Sequence, residues 1–250
     1  PTVENREQFL QAVRNSGSIG LGGAGFPTSL KLGFDPKEKQ PDFLIINGAE
    51  CEPYITSDYR CFMEEGEDVL EGVLLMLKYL GIPKCIIGIE KNKPKAIEKM
   101  TRLCEKHDNI TVKALKSSYP QGAEKTLIFS TTGRVVKEGT LPLASGCIVV
   151  NSSTAAFIAQ YIRTGMPLVK RRITVDGNIV KKPSNFIVPV GMSIGEIVYY
   201  AELSDKPDRI ILGGPMMGAC AFDPDYPLSK TNNAVLMFAD SPVYEPSECI

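Results

Sequence analysis

The densest run of chemically suggestive residues is Gly20-Leu21-Gly22-Gly23-Ala24-Gly25-Phe26-Pro27-Thr28-Ser29-Leu30-Lys31. Glycines let a backbone approach a ligand closely and aim several N–H groups at one anion. That is the description of a phosphate cradle. Gly20, Gly22 and Gly25 also fit G-x-G-x-x-G, but the dinucleotide fingerprint needs a strand leading directly into it, and residues 4–15 read as helix. The ordinary Rossmann fingerprint is therefore rejected, and a flexible glycine loop stands as the plain alternative. A second segment bears on the choice. Apolar residues 43–46 run into Asn47-Gly48-Ala49-Glu50-Cys51-Glu52-Pro53-Tyr54, setting polar groups at a strand's carboxyl end, where open α/β sheets bind ligands.

Four short apolar runs, at 43–46, 85–89, 110–115 and 147–150, alternate with helical periodicity, as in a parallel sheet covered by helices. Each is apolar enough to be buried on both faces. Val69, Leu70, Val73, Leu74, Leu77 and Leu80 recur at helical spacing until Gly81 and Pro83 stop them. Ala96, Ile97, Met100 and Leu103 repeat the pattern. Further helices are predicted from near Gly122 and after Asn151 or Ser152, either of which can cap a first turn. Residues 1–164 thus predict a three-layer, Rossmann-like α/β domain. Past Gly165 and Pro167, residues 172–175 and 179–181 flank the Asp176-Gly177 turn of a hairpin. Ser193 and Glu196 form the capping box of a helix reaching about Leu203, and residues 209–212 supply another strand. Two strands, a helix and a strand predict a small β-grasp domain over 165–220, followed by a return segment over 221–250.

A chain of 250 residues is long enough for two such cores. Its net charge of -1, with scattered Lys and Arg, offers no field for nucleic acid. No apolar run approaches the ~20 residues needed to cross a bilayer, so membrane association is expected through partner proteins. Seven irregularly spaced cysteines suit reduced thiols in a cytoplasmic protein, and no complete metal motif is present. A first residue of proline with no signal peptide implies an internal piece of a longer chain.

Together, G-L-G-G-A-G-F-P-T at 20–28 and N-G-A-E-C-E-P-Y-I-T at 47–56 resemble the C subunit of Rnf electron-transport complexes. That family is related to the flavin-bearing NADH dehydrogenase subunit of respiratory complex I and to a cobalamin reductase of diol metabolism. Tyr119-Pro120-Gln121-Gly122-Ala123-Glu124-Lys125, Asn151 to Thr154, and Gly213-Gly214-Pro215-Met216-Met217-Gly218 follow in the family's order, so the likeness covers nearly the whole chain. It implies an FMN- and NADH-binding domain followed by a soluble-ligand-binding (SLBB-type) β-grasp domain. The resemblance assigns Gly20, Gly22, Gly23 and Lys31 to the flavin, and Asn47 and Glu50 to its polar edge. Asn151 and Thr154 complete that site, and Gly25 and Gly122 belong to the same cofactor-binding set. Phe26, Glu52 and Glu124 would face NADH, the ring stacking and the carboxylates accepting from ribose or carboxamide groups. No catalytic side chain is expected, since hydride transfer from nicotinamide to flavin needs stacking and orientation rather than a protein acid or base.

The complex I relatives carry arginine where this chain has Leu21 and acidic residues where it has Ala49 and Ala123, which implies lower FMN affinity. Cys51, between two glutamates, reads as an inert thiol, and His107 as a dipole partner at a helix end. Glu248-Cys249-Ile250 resembles the opening of a ferredoxin-type motif, so Cys249 would be a metal ligand only within a longer chain bearing [4Fe-4S] clusters. The resemblance further implies electrons passing from NADH through FMN toward those clusters and ferredoxin. Other subunits, including membrane subunits, would couple this to ion transport, with this chain peripheral on the cytoplasmic side of the membrane. Two other readings stand beside it: a docking scaffold of the same complex without cofactor, and a cobalamin reductase, against which Glu52-Pro53-Tyr54-Ile55-Thr56 weighs.

Overall fold

In the computed structural model, which describes residues 1–239, strands β1 (Phe43–Gly48), β2 (Lys84–Glu90), β3 (Ile110–Leu115) and β4 (Cys147–Asn151) pair in parallel in the order β3-β2-β1-β4. Parallel sheets are buried on both faces, and alternate side chains here enter separate cores. Leu44, Ile46, Ile87 and Val150 pack into one, Ile45, Cys147 and Val149 into the other. Helices α1 (Arg6–Asn15), α2 (Thr28–Leu32), α3 (Ser57–Leu80), α4 (Pro94–Cys104) and α6 (Ser152–Thr164) all contribute to the first core, and α5 (Glu124–Thr132) closes the second. Full burial of a Leu, Ile or Val side chain contributes roughly 1.5–3 kcal/mol, so these two cores dominate the stability of the layer.

Local chemistry sets where the helices begin and end. Gly81 takes the left-handed conformation (φ 66°) that ends α3, and the Asn151 side chain accepts the Ser153 and Thr154 N–H groups at the start of α6. The chain leaves β1 for β2 and β3 on one side and returns to β4 on the other. That reversal makes a topological switch point between β1 and β4, where Asn47 and Asn151 are register partners at the strands' carboxyl ends.

The second sheet comprises β5 (Lys170–Asp176), β6 (Ser184–Pro189), β7 (Arg209–Leu212), β8 (Ala219–Ala221) and β9 (Ala234–Phe238), in the order β6-β5-β9-β7-β8. β5 and β9 run parallel at its centre, and the other pairs are antiparallel. Helix α7 (Ile194–Ala201), opened by the Ser193 and Glu196 capping box, packs Ile194, Ile197 and Ala201 against Ile173, Val175 and Val235. A hairpin, a helix on the sheet and a parallel central pair make the β-grasp arrangement. Its central strand β9 lies past residue 220, so the sheet reaches into the segment expected to be a return.

One expected strand differs. β5 pairs with residues 184–189, not 179–181. Ile179 and Val180 are apolar because they fill the core from the connection, where Val180 bridges Leu203. The Asp176-Gly177 turn persists within this wider connection, with Gly177 at φ 137° and its N–H on Asp176 Oδ1 at 2.7 Å. Cys249 lies outside the described residues. Among those residues, no helix is long and apolar enough to cross a membrane.

α3 and α6 approach most closely at Gly72, where a Cβ would stand 1.9 Å from the Ala155 carbonyl oxygen. Overpacking costs about 1–3 kcal/mol, and against a backbone atom the upper end applies. That exceeds the gain of up to ~1 kcal/mol in helix propensity. Gly72→Ala should therefore lower the urea midpoint without changing the m-value, and an unchanged midpoint would show that the helix pair yields freely.

Candidate functional site

At the switch point lies a cavity of about 570 Å³, walled by the glycine loop, the end of β1, the segment around Gly122, Asn151 of β4, and two turns of the second sheet. Its floor is built where two helix starts meet. Glu50, just past β1, accepts the N–H groups of Asp58 (2.7 Å) and Tyr59 (3.2 Å), and so caps α3. The Asp58 carboxylate in turn accepts from Asn151 Nδ2 (2.9 Å) and from the Ser152 and Ser153 hydroxyls (3.1 Å each) at the start of α6. Both arrangements place acidic side chains as hydrogen-bond acceptors at helix starts.

Burial dominates the electrostatics. It raises the Glu50 carboxyl to about 8, with the Asp58 charge adding and Lys93 and the two amides opposing. The ammonium of Lys93 is 3.6 Å from Glu50 Oε2. Burial also raises Asp58, against its three side-chain donors and the charge of Arg171. Arg171 itself is pushed down to about 10 by burial; it donates to the carbonyls of Leu21 (2.6 Å) and Lys230.

Of the residues singled out from the sequence, Gly22, Gly23, Asn47, Glu50, Glu52, Gly122, Glu124 and Asn151 stand on the cavity wall. The remaining five do not line it. The Gly20 N–H donates to Phe26 O (2.9 Å) and the Gly25 N–H to Gly20 O (3.2 Å), closing the loop on itself. The Thr154 hydroxyl accepts the Leu21 N–H (3.0 Å) and donates to Ile19 O (3.3 Å), tying that loop to α6. Lys31 is ion-paired with Glu124, and Phe26 is 50% exposed. On the wall, the Asn47 amide donates to Gly122 O (2.9 Å) and its oxygen accepts the Ala49 N–H (3.1 Å). No strand feeds the glycine loop, which is entered through an isolated bridge between Ile19 and Pro27.

Sequence reasoning missed Asp58, whose only signal was its place in the first turn of a helix, and the Thr231-Asn232-Asn233 turn, which carried none. The Gly213–Gly218 motif was visible, but its wall position was not. Burial, more than the neighbouring Glu90 and Glu52, raises the Cys51 thiol, which accepts the Gly122 N–H at 3.4 Å. The His107 N–H bonds to Cys104 O (2.9 Å) just beyond α4. Among the described residues, no His, Cys, Asp and Glu group is placed to hold a metal ion.

Glu50 is an acid whose folded value lies above its ordinary one. Its protonated form is therefore favoured in the fold, and its contribution is full below 4.5 and is lost as pH rises to about 8. Glu50→Gln keeps an acceptor oxygen for one of the two amides, sets an NH2 against the other, and cannot ionise. It should flatten the decline of unfolding free energy across that window, where one proton accounts for at most about 1.4 kcal/mol per pH unit. Urea unfolding at stepped pH measures this, and a decline as steep as in the parent would assign it elsewhere.

The family model described as the Nuo51 FMN-binding domain matches residues 13–160. The C subunit of the Na(+)-translocating ferredoxin:NAD(+) oxidoreductase complex of Acetobacterium woodii is 40% identical over 247 residues, 98% of this chain and 56% of that protein. The proton-translocating counterpart of Clostridium ljungdahlii is 39% identical over 97% of this chain and 53% of its own. The C subunit of the ion-translocating oxidoreductase complex of Rhodobacter capsulatus is 36% identical over 98% and 48%. The chain thus spans about half the length of these relatives. Among solved structures, a chain of the NAD+-reducing [NiFe]-hydrogenase in the H2-reduced state superimposes with a TM-score of 0.79. The superposition covers 94% of this chain and 47% of that one at 23% identity, a likeness of fold. The chain belongs to the Nuo51 FMN-binding domain family, and the relatives that match it along nearly its whole length are the C subunits of ion-translocating oxidoreductase complexes.

Proposed function

We propose that the cavity holds FMN with NADH beside it, and that the chain is the NADH-oxidising, flavin-bearing module of an ion-translocating, membrane-associated oxidoreductase complex. The observation that carries this reading is the convergence of the glycine loop and the end of β1 on one cavity. The residues fit the group. A Cβ at Gly23 would meet nothing within 4 Å, so the loop offers the cavity a wall free of side chains. The volume lies in the range of about 300–1,000 Å³ usual for cofactor sites.

In this reading the amides of the loop shaped by Gly20, Gly22, Gly23 and Gly25, with Lys31 behind them, receive the phosphate end. Asn47, Glu50, Gly122, Asn151 and Thr154 fix the flavin side, the last by holding the loop to α6. Phe26, Glu52 and Glu124 serve the dinucleotide. Bound there, FMN supplies the hydride acceptor and the passage from two-electron to one-electron chemistry. The side chains bind and orient and exclude water; none acts as an acid or base. Glu50, kept protonated by burial, presents a neutral carboxyl at the polar edge. Residues 1–164 form the cofactor domain, and the β-grasp domain runs from 165 past the expected boundary at 220 to include β9. The segment 221–250 leads, through Cys249, toward [4Fe-4S] clusters of a longer chain that pass electrons to ferredoxin. The chain docks with other subunits of the complex, membrane subunits included, on the cytoplasmic side of the membrane.

A second reading, a scaffold without cofactor, draws on the polar atoms of Asn47, Asn151 and Thr154, all of which already have protein partners. Titration of FMN, followed by quenching of its fluorescence, separates the two. Saturable quenching is expected. Gly23→Val, which fills the open space and also strains a backbone held at φ 115°, should raise the dissociation constant more than tenfold while far-UV circular dichroism is unchanged. An absence of saturation up to millimolar FMN in the parent chain would establish the scaffold instead.

A further inference from the structure

The hairpin turn of the second sheet, Gly213 to Gly218, reaches across the cavity to Glu52 of the first domain. It joins β7 to β8 and is pinned at both ends: the Gly213 N–H donates to Ala234 O (2.8 Å) and the Gly218 N–H to Gly214 O (2.7 Å). From this turn the Met216 N–H donates to Glu52 Oε2 at 2.9 Å. Gly214 lies against the same carboxylate so closely that a Cβ there would come 2.1 Å from Oε2 and 2.4 Å from Cδ. The other oxygen, Oε1, is buried with no hydrogen-bond partner. A buried carboxylate oxygen without a donor is costly by itself.

We infer that the Gly213–Gly218 turn is the positioning element for Glu52, fixing one carboxylate oxygen through the Met216 amide and so setting where the cavity presents this acid to the dinucleotide. Two contacts from one turn define the carboxylate: a donor that fixes Oε2 and a bare glycine that leaves it room. Neither would be met by a residue with a side chain at 214. Dinucleotide affinity is thereby set in part by a segment of the β-grasp domain, about 160 residues away along the chain from Glu52. The Met216 side chain takes no part, since the contact is made by its backbone.

The inference rests on the flavin and dinucleotide reading above, and the experiment keeps the two apart. FMN is titrated first, and NAD+ is then titrated into the FMN-loaded protein for the parent, Gly214→Ala, Glu52→Ala and the double variant. Gly214→Ala should weaken NAD+ binding about tenfold, with a far smaller change in FMN affinity, and should add nothing in the Glu52→Ala background. Equal NAD+ affinity in parent and Gly214→Ala, or a full additive loss in the double variant, would overturn the inference. No FMN binding to the parent would instead defeat the flavin reading. Amide hydrogen exchange at Met216 provides an arm that does not depend on the folding of Gly214→Ala. That amide should be protected in the parent and lose protection in Glu52→Ala, and unchanged protection there also overturns the inference.

Discussion

Burial of the Asp58 carboxylate between two helix starts is the constraint on which the site depends. An isolated buried carboxylate is strongly disfavoured unless donors surround it. Here all three side-chain donors come from the first turn of α6 and its cap, while the residue itself belongs to the first turn of α3. The two helices can begin where they do only if they begin together. Because Asn151 ends β4 and Thr154 ties the glycine loop to α6, that one carboxylate also fixes the distance between the loop and the sheet's edge. Removing one partner of a buried charge costs about 3–5 kcal/mol, far more than any surface pair on this molecule contributes.

The second domain is joined to this assembly by groups that are mostly buried. Arg172 of β5, its side chain 9% exposed, bonds to Glu64 (2.5 Å) and Glu65 (2.8 Å) of α3. Next to it Arg171 reaches the Leu21 carbonyl, while Thr174 accepts the Thr56 N–H (3.0 Å) and Asn185 donates to Thr56 (2.8 Å). Adjacent strand residues point to opposite faces, so β5 grips the glycine loop with one arginine and α3 with the other. Ile55 completes the junction by packing with Ala234 and Leu236. A cavity walled by both domains keeps its shape because this seam is mostly buried and holds on both faces of β5, even though the Nε groups of Arg171 and Arg172 are left without partners.

Three strands of the first sheet were readable because they are largely buried on both faces, which leaves short apolar runs with helical periodicity between. The fourth, β3 at the sheet's edge, exposes Thr111, Lys113 and Ala114 and is not buried on both faces as expected. The stop of α3 at Gly81 and the capping box of α7 were equally local signals. What escaped was decided at long range. Ser184–Pro189 carries serine, asparagine and proline, and becomes a strand by pairing with β5, whereas the more apolar Ile179 and Val180 are spent on the core. Asp58 looks like any first-turn acid until α6 arrives from about 90 residues further on. The roles of Thr154 and Lys31 differ from wall contact for the same reason: their partners, Ile19 and Glu124, are fixed by the packing of other elements.

Charge around the cavity shows how a wall that carries so many acids can suit the anionic ligands proposed for it. Glu50 is held neutral by burial, Asp58 is enclosed by donors and faced by Arg171, and Glu124 is paired with Lys31. Little of the negative charge therefore projects into the space, as a site proposed to take a phosphate requires. Glu52 is the exception on this wall, with one oxygen satisfied by Met216 and the other unpartnered. In the proposed site this acid, capable only of accepting when ionised, stands on the side assigned to the dinucleotide, whose ribose and carboxamide carry donors. Among the described residues, the one acid of this wall that receives a hydrogen bond from the second sheet is thus Glu52, through a backbone amide of the β7–β8 turn.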